Sequence, residues 1–204
     1  MSARLEGRGL TLFRGERCLF QGLDFSLSAG ELLLVQGPNG SGKTSLLRTV
    51  AGLAELEEGE VLWNGIPVAR ERQEFRGRLV WMGHRPGYKA ELTVRENLAF
   101  EAGLRPASRR SPAECLARLG LAACAELPFG VLSAGQQRRL ALARLLLAAA
   151  PLWMVDEPYT NLDSTALGLV NELLAAHLAA GGLAMVASHQ PVALAAPVRH
   201  VTLA

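Results

Sequence analysis

Lysine is nearly missing from this chain: only Lys43 and Lys89 carry it, and arginine supplies the rest of the positive charge. Cations and anions almost balance, with a formal net charge of +2 over 204 residues. So small an excess excludes the basic stripe of a nucleic-acid binder and the polybasic anchor of a membrane-surface protein. Cysteine is equally scarce. Cys18, Cys115 and Cys124 are odd in number, scattered, and free of C-x-x-C spacing. Such a set provides no disulfide framework, zinc site or C-x-x-C-H haem attachment, and buried thiols in a reducing compartment are expected. Long apolar runs are absent too. Arg144 and Pro151 interrupt the longest, and none approaches the ~18 residues of a membrane span. Met1-Ser2-Ala3-Arg4-Leu5-Glu6 shows no signal-peptide core. The expectation is a cytoplasmic protein of one domain, residues 1–204, that does not itself cross a membrane. Its length suffices for a sizeable core, and neither an internal repeat nor a low-complexity tract is visible.

Against that sparse background, one of the two lysines stands in a dense motif. Gly37-Pro38-Asn39-Gly40-Ser41-Gly42-Lys43-Thr44 reads G-x-x-x-x-G-K-T, a phosphate-binding loop. The Leu/Val-rich run Glu31 to Gln36 before it reads as a buried strand. After it, Leu46, Leu47, Val50, Ala51 and Leu53 fall at helical spacing. Glycines let the backbone pass close to an anion, and successive N–H groups at the helix start then face the phosphates. Lys43 should reach the β- and γ-phosphates, and Thr44 should offer its hydroxyl to Mg²⁺. A glycine-rich turn before an ordinary helix is the competing reading.

The rest of the chain alternates strands and helices. Arg4 to Phe13 and Leu19 to Ser28 read as strands separated by a turn at Gly15-Glu16. Phe13 falls on the loop there, either as a strand-end core residue or as a ring free to stack on a base. Glu58-Gly59-Glu60 reads as a turn into the strand Val61–Trp63, closed by Asn64-Gly65. Arg70 to Arg78 reads as a charged connector, Leu79 to Met82 as a buried strand ending in the breaker-rich loop Gly83 to Gly87. Thr93-x-x-Glu96 is a capping box opening a helix to Leu104. A polar loop, Arg105 to Pro112, and a short helix, Pro112 to Leu121, follow. This mostly helical stretch, roughly 90–133, reads as an insert beside the sheet. Ser133-x-x-Gln136 is a further capping box, starting a long helix to Ala149. Leu152 to Glu157 is a buried strand that empties into paired acids. Asp163-Ser164 caps a helix from Thr165 to Ala180 that Gly181-Gly182 stops. Leu183 to Ala187 is a strand ending at Ser188-His189, Pro191 to Pro197 carries a short helix, and Val198 to Leu203 closes the sheet. Trp63, Trp81 and Trp153 belong to the core, His177 to a helix flank, His200 to an edge strand. Arg138 and Arg139 face solvent or the carboxylates of a neighbouring chain.

A phosphate loop alone leaves kinases, GTPases and ATPases open. Asp156 follows an apolar strand, where an acid can reach Mg²⁺ directly or through water. Glu157 is next, placed to orient and deprotonate an attacking water. Leu132-Ser133-Ala134-Gly135-Gln136 precedes that strand, Thr160-Asn161-Leu162-Asp163 follows it, and His189 ends the next one. Across nearly the whole chain this order resembles the nucleotide-binding domains of ABC transporters. The family's signature is L-S-G-G-Q, with Ala134 here replacing the first Gly. Its S-A-L-D-like loop is matched by Thr160 to Asp163, and its switch histidine by His189. Phe13 falls near its adenine-stacking aromatic. The resemblance implies a P-loop NTPase fold of the ABC type: a RecA-like mixed sheet, an N-terminal antiparallel β-subdomain and an inserted helical subdomain. It also implies ATP and Mg²⁺ as cofactors and a head-to-tail homodimer in the ATP-bound state. Each site would join Lys43, Thr44, Asp156 and Glu157 of one chain to Ser133, Gly135 and Gln136 of the other, with Asp163 helping to link the two sites.

One departure stands out. Where the family has Gln in the loop after the Leu79–Met82 strand, this chain has His84. Imidazole can bind a metal or accept from water, though with a different reach and a pH-dependent charge; a tolerated replacement without special chemistry is the other reading. Gly83-His84 with Gly87, Lys89 and Leu92-Thr93 resembles one branch in particular, the ATPases of bacterial system I cytochrome c maturation exporters. That resemblance implies integral-membrane partners of the maturation complex and a peripheral place on the cytoplasmic face of the inner membrane. No dispersed histidine or cysteine suggests haem binding by this chain, and no nucleic-acid partner is expected. An ABC ATPase for another substrate and a soluble, non-transport ABC ATPase remain alternatives. A small-molecule P-loop kinase would leave the signature and His189 without a role.

Overall fold

A computed structural model describes residues 3–104, 110–190, 192 and 194–204. The chain forms two compact units. The first comprises Met1–Trp81, Ala150–Pro158 and Asn171–Ala204, the second Met82–Ala149 and Tyr159–Val170. The helical stretch at roughly 90–133 falls within the second.

The first unit opens with an antiparallel sheet in the order β2-β1-β4-β5, built from β1 (Arg4–Arg14), β2 (Arg17–Ser28), β4 (Glu58–Trp63) and β5 (Ile66–Pro67). A second sheet has the order β6-β7-β8-β3-β9, with β3 (Leu32–Gln36), β6 (Leu79–Met82), β7 (Leu152–Asp156), β8 (Leu183–Ala187) and β9 (Val198–Thr202). The pairings β3–β8, β3–β9 and β7–β8 are parallel. Parallel strands covered on both faces need continuous apolar runs, and Leu32 to Val35, β7 and β8 are buried throughout. Helix α1 (Lys43–Val50) adds the fully buried Leu46, Leu47 and Val50 to that core. The phosphate loop leaves the carboxyl end of β3, where open α/β sheets bind ligands.

The second unit is helical: α3 (Val94–Gly103), α4 (Pro112–Arg118), α5 (Ala134–Ala141) and α6 (Ala143–Leu147), while α7 (Ser164–Ala179) starts in this unit and ends in the first. The capping boxes at Thr93 and Ser133 form as read, and a third, Ser111 with Glu114, caps α4. Arg144 makes a bidentate pair with Glu101 at 2.9 and 3.1 Å and lies over the Tyr88 ring, 5.5 Å from its centroid.

Several sequence expectations are corrected. Glu58 to Glu60 is not a turn; it pairs with β1, Arg8 opposite Glu60 and Thr11 opposite Glu58, so an exposed polar run becomes strand through its partner. The connector after Arg70 holds a short helix, α2 (Arg72–Gly77), pinned by Phe75 against Trp63 at 5.7 Å. The helix read to Ala149 is two segments, tightened at Leu142 by a bond from its N–H to the Arg139 carbonyl, and it stops at Leu147 where Ala148 turns extended. Val192 and residues 194–197 are not helical; Pro191 and Ala193, like 105–109 of the predicted polar loop, lie outside the described residues. Phe13 sits in β1 rather than on a loop, and Cys18 is exposed rather than buried.

Candidate functional site

Four elements of the first unit converge around the phosphate loop. Gly42, with φ 101°, is the N-cap of α1, and neither a side-chain cap nor an acidic residue occupies the helix start. Its first N–H groups therefore remain open to an anion. Gly37 has no room for a side chain, because the Leu203 carbonyl and the Ser41 hydroxyl crowd its α-carbon. Lys43, 6% exposed, folds its ammonium back onto the loop, donating to the carbonyls of Gly37 at 2.8 Å and Pro38 at 3.0 Å. Such a cation is poised to exchange carbonyl partners for phosphate oxygens.

Two acids arrive from the end of β7. Asp156 is 1% exposed and accepts a 2.8 Å hydrogen bond from the Thr44 hydroxyl. Burying a carboxylate costs free energy unless polar partners or a cation meet it. Glu157 leaves the strand with φ 50°, a left-handed backbone that costs a non-glycine residue about 1–2 kcal/mol. Its N–H still bonds the Ala187 carbonyl at 2.8 Å. That twist sends the Glu157 carboxylate toward two nitrogen partners: Oε1 is 3.9 Å from Lys43 Nζ, and Oε2 is 2.8 Å from Nδ1 of His189. His189 follows β8, the neighbour of β7, so the parallel register itself brings histidine and glutamate together. Lys43, Thr44, Asp156, Glu157 and His189 thus form one contiguous polar cluster.

Thr44 and Asp156 offer the hard oxygen donors that Mg²⁺ prefers, and that ion is held by one or two carboxylates plus substrate phosphates rather than by a protein cage. The cluster fits this chemistry, and among the described residues no group of three or more His, Cys, Asp or Glu side chains forms such a cage.

Phe13 lies in β1 of the first unit, 41% exposed, and the other expected residues lie in the second unit. Ser133 caps α5, its hydroxyl accepting from the Gln136 N–H at 3.3 Å while Gln136 Oε1 accepts from the Ser133 N–H at 2.9 Å. Gly135 faces the Asn161 carbonyl, and Asn161 adopts φ 61°. Asp163 caps α7 through the Ala166 N–H at 2.8 Å. His84 lines a cavity of about 110 Å³ with Pro86, Ala134, Gln137, Arg138, Thr160 and Asn161. Arg138 was expected to face solvent or a neighbouring chain. It is instead 5% exposed and donates to the carbonyls of Gly83 at 3.0 Å and His84 at 3.2 Å, fixing the loop that bears the histidine. No motif flags this clamp, because its acceptors are main-chain atoms more than fifty residues upstream. His177, read as a flank residue, stacks on Trp153 at 3.9 Å and bonds the Leu183 carbonyl through Nε2.

Fold and cluster together define a P-loop nucleotide-binding protein with a paired-acid strand end. Residues 20–160 match the ABC transporter family. The cytochrome c biogenesis ATP-binding export protein CcmA of Salmonella typhi is 48% identical over 188 residues, 92% of this chain and 90% of its own. CcmA of Methylococcus capsulatus is 47% identical over 203 residues, 98% of each chain. Among solved structures, a dimeric ATP-binding cassette in a post-hydrolysis state bound to ADP and Pi superposes with a TM-score of 0.79 at 25% identity, covering 91% of this chain and 88% of that one. The chain belongs to the ABC transporter family as one of its ATPase subunits, within the group of cytochrome c biogenesis ATP-binding export proteins. Among the described residues no helix is long and apolar enough to cross a membrane.

Proposed function

We propose that the chain binds Mg·ATP on the Lys43–Thr44–Asp156–Glu157–His189 cluster and that its hydrolysis drives the export step of cytochrome c maturation. The observation that carries this reading is the Glu157 carboxylate held between His189 and Lys43 beside the phosphate loop. Gly37 to Gly42 cradle the phosphates with backbone N–H groups, and Lys43 leaves its carbonyl partners to neutralise the β- and γ-oxygens. Thr44 and Asp156 would hold Mg²⁺, and the ion would supply charge neutralisation on those oxygens. Glu157 orients the attacking water and takes its proton, while His189 holds the carboxylate in place. His84, on the loop clamped by Arg138, is the residue that takes the place of the family's Gln in this reading. Ser133, Gly135 and Gln136 complete the site of a second copy in an ATP-bound homodimer, with Asp163 nearby. The dimeric state of the solved ADP- and Pi-bound relative supports that arrangement.

The names of the relatives, ATP-binding export proteins of cytochrome c biogenesis, support a place in an export complex; in this proposal its partners are integral-membrane subunits of the maturation complex, met at the cytoplasmic face of the inner membrane. Haem handling belongs to those partners, and this chain binds none. The test is Lys43→Ala in cells: the protein stays folded and membrane-associated, while haem staining of c-type cytochromes disappears. Normal cytochromes with a different transport defect would redirect the proposal to another substrate.

A further inference from the structure

The loop that joins β6 to α3, residues 83–92, is held very differently in its two halves. The second half is fastened many times over. Tyr88 donates its hydroxyl to the Leu140 carbonyl at 3.3 Å and sets its ring edge-on to Phe129 at 5.4 Å. Asn97, 4% exposed, accepts from the Lys89 N–H at 2.9 Å and donates to the carbonyls of Lys89 and Leu92 at 3.0 and 3.2 Å. The N–H groups of Gly130 and Phe129 donate to the Ala90 and Leu92 carbonyls, each at 2.9 Å. The first half, Gly83 to Gly87, has far less. Among the described residues the one side chain that bonds it is Arg138, through the Gly83 and His84 carbonyls. The His84 imidazole itself has no hydrogen-bond partner among them.

A ring without partners of its own is aimed by its backbone and its rotamer. The His84 backbone is aimed in turn by one guanidinium, whose Nη1 bridges two successive carbonyls. Arg138 is 5% exposed, so its planar fork is fixed by its surroundings rather than by chance contact with solvent. It also stands on α5, the helix that Ser133 caps. We propose that Arg138 is a positioning residue of the ATPase reaction, one that aims His84 and ties it to the helix bearing Ser133 and Gly135. The inference rests on the reading of His84 given above. On that reading, the residue meant for the chain's own nucleotide rides on the helix meant for a second copy's. A clamp that only satisfied two buried carbonyls would change stability, and its loss would not depend on whether His84 is present.

Phosphate release by the purified full-length protein over a range of Mg·ATP concentrations tests this, in a double-mutant cycle. Arg138→Met keeps much of the bulk and removes the donors. It should lower kcat by a factor approaching the about tenfold expected of His84→Ala, with KM for ATP within about twofold of wild type. In the His84→Ala background the same change should cost less than about twofold, because the group it aims is gone. Arg138→Lys, which keeps a donor without the fork, should fall between wild type and Arg138→Met. The lysine variant also serves if Arg138→Met does not fold, since its smaller loss should likewise vanish when His84 is absent. Losses that multiply in the double variant would overturn this inference alone. So would a loss confined to KM, or an Arg138→Met protein of wild-type kcat where His84→Ala is slow. A His84→Ala protein as fast as wild type would remove the reading of His84 and this inference with it.

Discussion

Glu157→Gln isolates the chemistry at the centre of the cluster. The carboxylate lies 2.8 Å from His189 Nδ1 and 3.9 Å from Lys43 Nζ. Glutamine keeps the length and one oxygen for those partners but cannot take a proton from water. A positioned general base contributes about 10²–10⁴-fold, or about 2.7–5.5 kcal/mol of barrier, so kcat should fall by that factor. Lys43 remains anchored on the Gly37 and Pro38 carbonyls, and removing a negative charge beside the phosphates cannot weaken their binding. ATP affinity should therefore stay equal or rise, and a dimer should persist long enough to register by light scattering. His189→Ala removes the group that orients the carboxylate and leaves the base, so its loss is smaller. Because both act through one proton transfer, Glu157→Gln/His189→Ala should be no slower than Glu157→Gln alone. Phosphate release at saturating Mg·ATP measures the rates. A Glu157→Gln rate within about tenfold of wild type, or additive losses in the double variant, would remove Glu157 from the base role.

In the isolated protein His84→Ala should lower kcat by about tenfold with ATP affinity unchanged, and His84→Gln should restore much of it; equal activity of all three forms would reduce His84 to a tolerated substitution. Arg144→Ala leaves the nearly buried Glu101 carboxylate without its bidentate cation, at a cost of about 3 kcal/mol. Circular dichroism should show the melting temperature fall by about 6–12 °C, and Arg144→Met with Glu101→Leu should recover most of it. A loss below about 1 kcal/mol would make the pair an ordinary surface contact. The Arg199 guanidinium, hydrogen-bonded to Glu31, holds that carboxyl below its ordinary value of 4.5, with the Ser28 N–H helping. The pair therefore stabilises the fold above the ordinary carboxylate range, and that stabilisation is lost as pH falls through the lowered value. Arg199→Ala should move the acid-unfolding midpoint upward; an unchanged midpoint would deny the linkage.

The readable parts of this molecule are those whose partners lie close in sequence. A phosphate loop is legible because strand, glycines, lysine and helix are contiguous, and the caps at Thr93 and Ser133 because each reciprocal bond spans three residues. Ser111-x-x-Glu114 carries the same signal directly ahead of α4, which starts at Pro112 as read and ends at Arg118 rather than Leu121. What escaped depends on distant partners. Arg138 sits in a run of polar side chains yet turns inward, where it donates to two loop carbonyls. Glu58 to Glu60 has no strand periodicity of its own and extends along β1. In the site, Lys43, Asp156 and Glu157 could be named from sequence, whereas the place of Phe13 inside β1, paired with Cys18, follows from the cross-strand register.

The stack of Trp153 on His177 gives the molecule an internal optical gauge. The indole lies three residues before Asp156 on the same strand, 3.9 Å from the imidazole and tilted from it by only 8°. Gly182 leaves no space beyond that imidazole, since any side chain there would collide with it. An imidazole in contact with an excited indole drains its emission, and an imidazolium does so more strongly. Light from Trp153 thus encodes how closely the end of α7 presses on the strand that carries the paired acids, with no dye attached and with the label already part of the core.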